Sequence, residues 1–550
     1  MFGKEIRSPT ASMECIDKNS GAKSTQPLTV TGFTATEVNL TVNASAYPNG
    51  AVCVVRITND DGTYAEIPGL VITNPAQNLA LFRNGPTLAK GRRALGGAGS
   101  QATPAARFVY AIGGDQGSAQ TVLDTVEVAP VDIFGVPTTF FTQHNRLKTA
   151  RSFAPAVALG RCLYLVGGVA ATGVLASVER ACVLDPAQRP RVVDLDLDTS
   201  TTAGLGAGLW YYRVSAVMGA GDVQNPGGET LASEPFPVLL PALTGRKVVV
   251  KVHWSLVTGA VGYRVYRSPA AGAAADAAQL IATIASGTTS STTDDGIAVQ
   301  AGTPQRLGAT GTWHTLAATL ATARQGAGAA IVPDPADSTG SKHLLYVMGG
   351  KSAASALTSI EQAPISVNAD GTQSVGSFTA STQSLVQARW QLGLFPMGNE
   401  NASLIVPPKR YLYAGGGVAT NGTTLVNTVQ AFEVQAGGAL SAPVAVNTMQ
   451  PPRAGYGQAP ANNFLYVFGG LQAAPDATVT SAKICGDASG AGACPGSQTA
   501  PLISNWNNAS AKMLESRYLL GLAIQSGYFY LMGGQTGTSA ASTTTEYSNW

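Results

Sequence analysis

One three-part signature recurs six times along this chain, and it limits the possible folds more than any other feature. A hydrophobic residue stands four positions before an arginine: Leu88/Arg92, Leu147/Arg151, Leu320/Arg324, Leu385/Arg389, Met449/Arg453 and Met513/Arg517. Each arginine leads to an apolar run ending in Gly-Gly: FVYAIGG to Gly114, CLYLVGG to Gly168, LLYVMGG to Gly350, YLYAGG to Gly416, FLYVFGG to Gly470 and YFYLMGG to Gly534. A third element follows: Thr125-Val126-Glu127, Ser177-Val178-Glu179, Ser359-Ile360-Glu361, Thr428-Val429-Gln430, Ser481-Ala482-Lys483 and Thr544-Thr545-Glu546. Short strand-like units at a period of 54–66 residues, with one long interruption, indicate radial repetition.

These residues resemble the kelch repeat. Its blades carry an arginine near the first strand, a second strand running into a glycine pair, and a polar-apolar-acidic third strand. The resemblance implies a six-bladed kelch-like β-propeller; with two β-sandwich modules read from the segments outside the repeats, the fold expected is all-β. Strands buried on both faces read as continuous apolar runs, as LYLV and LYVF do. The sequence stops just after the sixth third-strand element, so the sixth blade needs an outer strand from elsewhere. By register, Asn78–Phe82 (NLALF) is expected to supply it and so protect the edges.

The organisation expected is an arm over 1–25, an Ig-like sandwich over 26–76, the propeller over 77–188 and 306–550, and an inserted module over 189–305. The second segment alternates (LTVTGF, VNLTVNA, AVCVVRI) between turn signals at Pro48-Asn49-Gly50 and Asp60-Asp61-Gly62. In the insertion, the run from Trp254 to Arg267 and YYRVSAV resemble fibronectin type III domains. That resemblance assigns Trp254, Tyr263 and Tyr266 to the core between two sheets.

Charged residues make up 12% of the chain and the net charge is +2. Soluble domains usually carry about 25%. No bulk electrostatic case exists for nucleic acid or an anionic membrane. No apolar run reaches the 18 or so residues of a membrane span, and MFGKEIRSPTASMEC lacks the apolar core of a secretory signal. Cys162 and Cys182 flank neighbouring strands of one repeat, Cys485 and Cys494 flank a short flexible loop, and Cys15 and Cys53 remain. Three disulfides and an oxidising destination are expected.

Catalytic constellations are sparse. The four histidines, His144, His253, His314 and His343, have no partner at metal-ligand spacing, so neither a metal nor a cofactor is expected. No nucleophile elbow, zinc-protease helix or phosphate loop occurs. Asp194, Asp196 and Asp198 alternate on one strand face, a calcium-type oxygen set that also suits a solvated face. The repeated arginines (Arg92, Arg151, Arg324, Arg389, Arg453, Arg517) are expected to pin blades together, most simply by pairing with Glu127, Glu179, Glu361 and Glu546.

The expected function is therefore a non-enzymatic extracellular or virion-surface protein, for attachment or structure. It would bind a glycan or neighbouring subunits through the loops Asp115–Thr121, Lys351–Ala356, Val418–Thr424 and Leu471–Thr478. The alternative is a carbohydrate-active enzyme with its site at the propeller mouth, because fold alone does not decide function.

Overall fold

The computed structural model describes residues 7–550 except 18–19, 34–37, 44–45, 48–50, 73–78, 104, 118–120, 297–298, 338, 399–408, 462, 486–500 and 538–540. It is all-β, with many antiparallel sheets and no α-helix among the described residues. Among the described residues no helix is long and apolar enough to cross a membrane. The chain divides into two compact units. One comprises Met1–Thr142, Thr149–Glu179 and Thr315–Trp550; the other comprises Gln143–Lys148 and Arg180–His314.

Six antiparallel sheets of the first unit belong one to each repeat. The first sheet starts from Gly96–Gln101, the second from Ala156–Leu159, the third from Gly328–Pro333, the fourth from Gly393–Gly398, the fifth from Gly457–Ala461 and the sixth from Gly521–Gln525. These six starting strands neighbour one another in sequence, and the sixth lies against the first, so the order is cyclic. Second strands such as Cys162–Val166 and Tyr528–Met532 are buried along their whole length, as their apolar runs predict. Facing layers of adjacent sheets share cores: Phe395, Tyr413 and Val429 of the fourth pack with Leu465, Val467 and Ala482 of the fifth.

The sixth sheet is completed by an early segment. Arg83–Asn84 pairs with Thr545–Asn549 in the register Tyr547↔Arg83 and Glu546↔Asn84. The paired strand thus lies just beyond the expected Asn78–Phe82, of which Asn78 lies outside the described residues. Leu79 and Phe82 serve as core, buried with Phe468 and Phe529, while the Ala80 N–H still donates to the Asn549 carbonyl. The register also differs at two other places. The left-handed glycine pair of the fourth repeat is Gly416-Gly417 (φ 60° and 101°), not Gly415-Gly416, and Gly415 is the last residue of a strand. In the fifth repeat Phe468 faces Val479 as Ile112 faces Val126, so its third element is Thr478-Val479-Thr480, not Ser481-Ala482-Lys483.

Toward the N-terminus lies a five-stranded sheet, in the order Val38–Thr41, Lys23–Phe33, Thr10–Ile16, Val52–Thr58, Tyr64–Val71. One expectation is corrected here. Thr10–Ile16 is not part of an arm but the central strand, because Ala11, Met13 and Cys15 alternate inward. The five strands are hydrogen-bonded in one continuous order. Its 11-residue strand Lys23–Phe33 pairs with Thr10–Ile16 through its first half and with Val38–Thr41 through its second. Cys15 lies opposite Cys53 and is bonded to it. Cys162 is bonded to Cys182 on the neighbouring strand. Cys485 is also disulfide-bonded, while Cys494 lies outside the described residues.

The second unit is two sheets around one core. Val192–Ser200, Lys247–Trp254 and Ser291–Asp294 form one; Phe236–Leu240, Gly208–Met218, Ala260–Arg267 and Gln279–Ile284 form the other. Trp254, Tyr263, Val250 and Tyr212 share its core. Asp294 ties the sheets together: it accepts two hydrogen bonds from Arg267 Nη1 (2.7 and 2.8 Å) and one from the Tyr212 hydroxyl (2.6 Å). The unit is wider than the expected 189–305. Thr310 is held by Gln143, whose amide donates to its hydroxyl (2.8 Å) and accepts from its N–H (2.9 Å). Its entry and exit pair directly, Leu184 N–H to the Ala309 carbonyl and Gly311 N–H to the Cys182 carbonyl.

Two predictions follow from this connectivity. Replacing 189–305 by a short Gly/Ser linker should leave the six sheets folded, since its ends already meet and loop closure depends weakly on length; a thermal unfolding scan that shows no cooperative transition refutes this. Deleting 1–90 should lower the melting temperature far more than deleting 1–70, because only the longer deletion strips Thr545–Asn549 of its partner strand. Equal melting temperatures would show that the early segment closes nothing.

Candidate functional site

Each of the six arginines is buried, at most 1% exposed, and each does the same work. Its Nη1 donates to the carbonyl of the first left-handed glycine of its own repeat. The distances are 2.9 Å for Arg92–Gly113, 2.9 Å for Arg151–Gly167, 2.8 Å for Arg324–Gly349, 3.4 Å for Arg389–Gly416, 3.0 Å for Arg453–Gly469 and 2.8 Å for Arg517–Gly533. Its backbone carbonyl accepts from the second glycine of the preceding repeat: Gly114 to Arg151, Gly168 to Arg324, Gly350 to Arg389, Gly417 to Arg453, Gly470 to Arg517, and Gly534 to Arg92. The last of these closes the circle. Glycine is needed here: a Cβ on Gly114 (φ 92°) would stand 2.7 Å from the Arg93 carbonyl oxygen.

In four repeats a buried glutamate completes the arrangement. Glu179 accepts from Arg151 Nη2 at 2.5 Å and from the Thr149 N–H at 3.0 Å; Glu546 does the same for Arg517 at 2.5 Å and the Leu514 N–H at 2.6 Å. Glu127 and Glu361 hold Arg92 and Arg324 likewise. The fourth repeat has Gln430, which accepts from the Val386 N–H (3.1 Å), and Arg389 keeps the hydroxyl contact that Arg92, Arg151 and Arg324 also make, here to Thr428 (2.7 Å). Burial pushes the Arg389 pKa down to about 10. The fifth repeat has Thr480 at this position; Arg453 instead pairs with Asp476 (3.1 Å), and its Nη2 has no hydrogen-bond partner.

A second circle lies beside the first. The N–H of Ala94 donates to Leu519, Phe153 to Ala94, Gly326 to Phe153, Gln391 to Gly326, Gly455 to Gln391, and Leu519 to Gly455, over 2.6–3.1 Å. All six residues are left-handed, with φ between 49° and 60°. They and the strands that follow line a cavity of roughly 200 Å³. Its walls are glycine, alanine, leucine, proline and phenylalanine, with Gln391, Gln458 and Tyr456 as the polar side chains. Two of those three are committed. The Gln458 amide clips Leu394 through its N–H (2.6 Å) and carbonyl (2.9 Å), and the Tyr456 hydroxyl donates to the Gly415 carbonyl (2.7 Å) while accepting from Gly393 N–H (3.0 Å). Burial raises the Tyr456 pKa. Among the described residues no carboxylate, lysine, arginine or histidine lines the cavity.

Next in sequence to the lining residue Ala94, Arg93 bridges Asp115 (2.8 Å) and the Gly117 carbonyl (2.8 Å), and also holds Gln535. Of the expected contact loops, Lys351–Ala356 is a turn closed by a Lys351↔Ala356 bridge. Leu471–Thr478 is largely strand, ending one at Leu471 and starting the next at Pro475. Residues 118–120 lie outside the described residues. Asp196 pairs with His253 Nε2 at 2.8 Å, and no group of three or more metal-ligating side chains occurs among the described residues. Burial lowers the pKa of His314 and of His343.

Converting Gln430→Glu should stabilise the protein by about 1–2 kcal/mol, since a charge-assisted acceptor replaces a neutral one beside a buried guanidinium. Glu361→Ala should cost about 3–5 kcal/mol by stranding Arg324. Urea unfolding of both variants decides; unchanged midpoints would mean that the carboxylate does not hold the arginine.

No protein-family model matches the chain, and no curated protein does. Among solved structures the chain is similar to one titled "Structure of YjhT", with a TM-score of 0.42 and 10% identity, over 84% of this chain and 95% of that one.

Proposed function

We propose that this chain is a non-enzymatic binding and structural protein of a cell surface or virus particle, built on a six-bladed kelch-like propeller. The six sheets would be its blades, and the second unit a fibronectin type III-like module inserted in the second. The cyclic order of the sheets and the two closed circles of hydrogen bonds support the propeller. The disulfides Cys15–Cys53 and Cys162–Cys182 favour an oxidising, extracellular destination. The low charge favours hydrogen-bonded contacts with a glycan or with neighbouring subunits over electrostatic capture.

The observation that carries the reading is the lining of the axial cavity. Glycoside hydrolysis uses a pair of carboxyl groups across the scissile bond, and acid–base chemistry generally needs a group that titrates near the working pH. The cavity offers a tyrosine whose hydroxyl is already spent on backbone groups. Asp115, close by, is held in an ion pair with Arg93.

Screening the purified protein on a glycan array, with electron microscopy of its assembly state, tests this. Binding to a glycan class, or ordered assembly with itself or a co-purifying coat protein, is the expected result. Hydrolase or oxidase turnover abolished by one substitution in the cavity lining would overturn it.

A further inference from the structure

The mouth of the axial cavity carries side chains that its ring of hydrogen bonds does not need. The six ring positions are left-handed, where glycine is at ease, and glycine stands at Gly326 and Gly455. Leu519 (φ 53°) is buried, but Phe153 (φ 53°) and Gln391 (φ 54°) hold this strained conformation with full side chains. Both remain partly exposed. Trp390, next to Gln391 and also partly exposed, sets its ring 5.9 Å from that of Phe153, tilted by 45°. The glycine at 326 makes room for it, since a Cβ there would come within 3.2 Å of Trp390 Cε3. Lys351 Nζ lies 5.3 Å from the Trp390 ring centroid. Among the described residues Lys351 has no ion pair, and the Gln391 amide no hydrogen bond.

We propose that Phe153, Trp390, Gln391 and Lys351 form a saccharide subsite at this mouth, sized for one pyranose ring. The inference rests on the reading of the chain as a glycan-binding protein and names where that glycan docks. A pyranose presents an apolar C–H face and a rim of hydroxyls. The aromatic pair matches the first; an unspent amide and an ammonium without an ion pair match the second, giving hydrogen bonds that fix orientation. A cavity of roughly 200 Å³ falls below the ~300–1,000 Å³ of drug-sized ligand sites, which suits one terminal ring and not an extended chain. The strained backbone at Phe153 and Gln391 is then the means of aiming two side chains at the ligand from positions that glycine would otherwise hold.

The test is saturation-transfer NMR on the full-length protein with a panel of methyl α- and β-hexopyranosides, alongside the glycan array. Wild type should give transfer to at least one sugar. Trp390→Ala and Lys351→Ala should weaken it, and Gln391→Gly should weaken it about tenfold or more while the melting temperature stays level or rises, because glycine relieves the left-handed strain. A purely structural role for Gln391 would not separate the two readouts, and Gln391→Gly keeps the test valid if Trp390→Ala misfolds. Array binding without transfer to any hexopyranoside, or transfer that survives all three substitutions, overturns the subsite and leaves the glycan reading standing. A wild type that binds no glycan in either assay overturns both.

Discussion

Everything in the six-sheet unit depends on a backbone problem solved six times by one guanidinium. Each central strand ends in two left-handed glycines, and the first leaves its carbonyl pointing where no strand can satisfy it. A buried polar group without a partner is expensive. The arginine supplies the missing donor from inside the protein, and its own carbonyl takes the N–H of the preceding repeat's second glycine. One residue thereby fixes the turn within a sheet and the contact between sheets. Four glutamates neutralise four of the arginines. Such buried pairs add little net stability over an apolar filling, so their value here is in geometry: a fork-shaped donor held in one plane can serve two carbonyls and a carboxylate at once.

Departures from the repeat show what can be relaxed. Gln430 keeps the bond to the neighbouring N–H but not the charge, while Thr480 keeps neither, and Arg453 borrows Asp476 from the same hairpin. The backbone circle survives both changes, with Gly417 to Arg453 and Gly470 to Arg517 each at 2.9 Å. The carbonyl contacts are therefore the constant, and the carboxylate is the variable.

Much of this was legible in the sequence, because six apolar runs ending in glycine pairs carry their own register. The failures have local causes. Three consecutive glycines at 415–417 are indistinguishable until φ is known. TVTSAK contains two consecutive polar-apolar-polar triplets, and only cross-strand pairing chooses Thr478-Val479-Thr480. The alternation of Ala11, Met13 and Cys15 was readable, but its short length and polar flanks made it look like an arm. The candidate site was not readable at all. Phe153 and Trp390 come from the second and fourth repeats, and only the closed order of the sheets sets them side by side across Gly326.

The sheet shared by the two ends of the propagating order has a kinetic meaning. Thr545 bonds the Pro86 carbonyl across 459 residues of chain. Four sheets can form as their own hairpins are made, because their pairings are local, while the second takes its outer strand His314–Thr319 from beyond the inserted module. The sixth waits for its outer strand, which was synthesised long before its other three. Until then the unit is an open arc with two unsatisfied edges, and the loop-closure entropy of the whole chain stands against the last step. An arc of that kind is the species most exposed to joining with another copy. Ring closure is thus the event that separates a folded monomer from a domain-swapped chain of arcs.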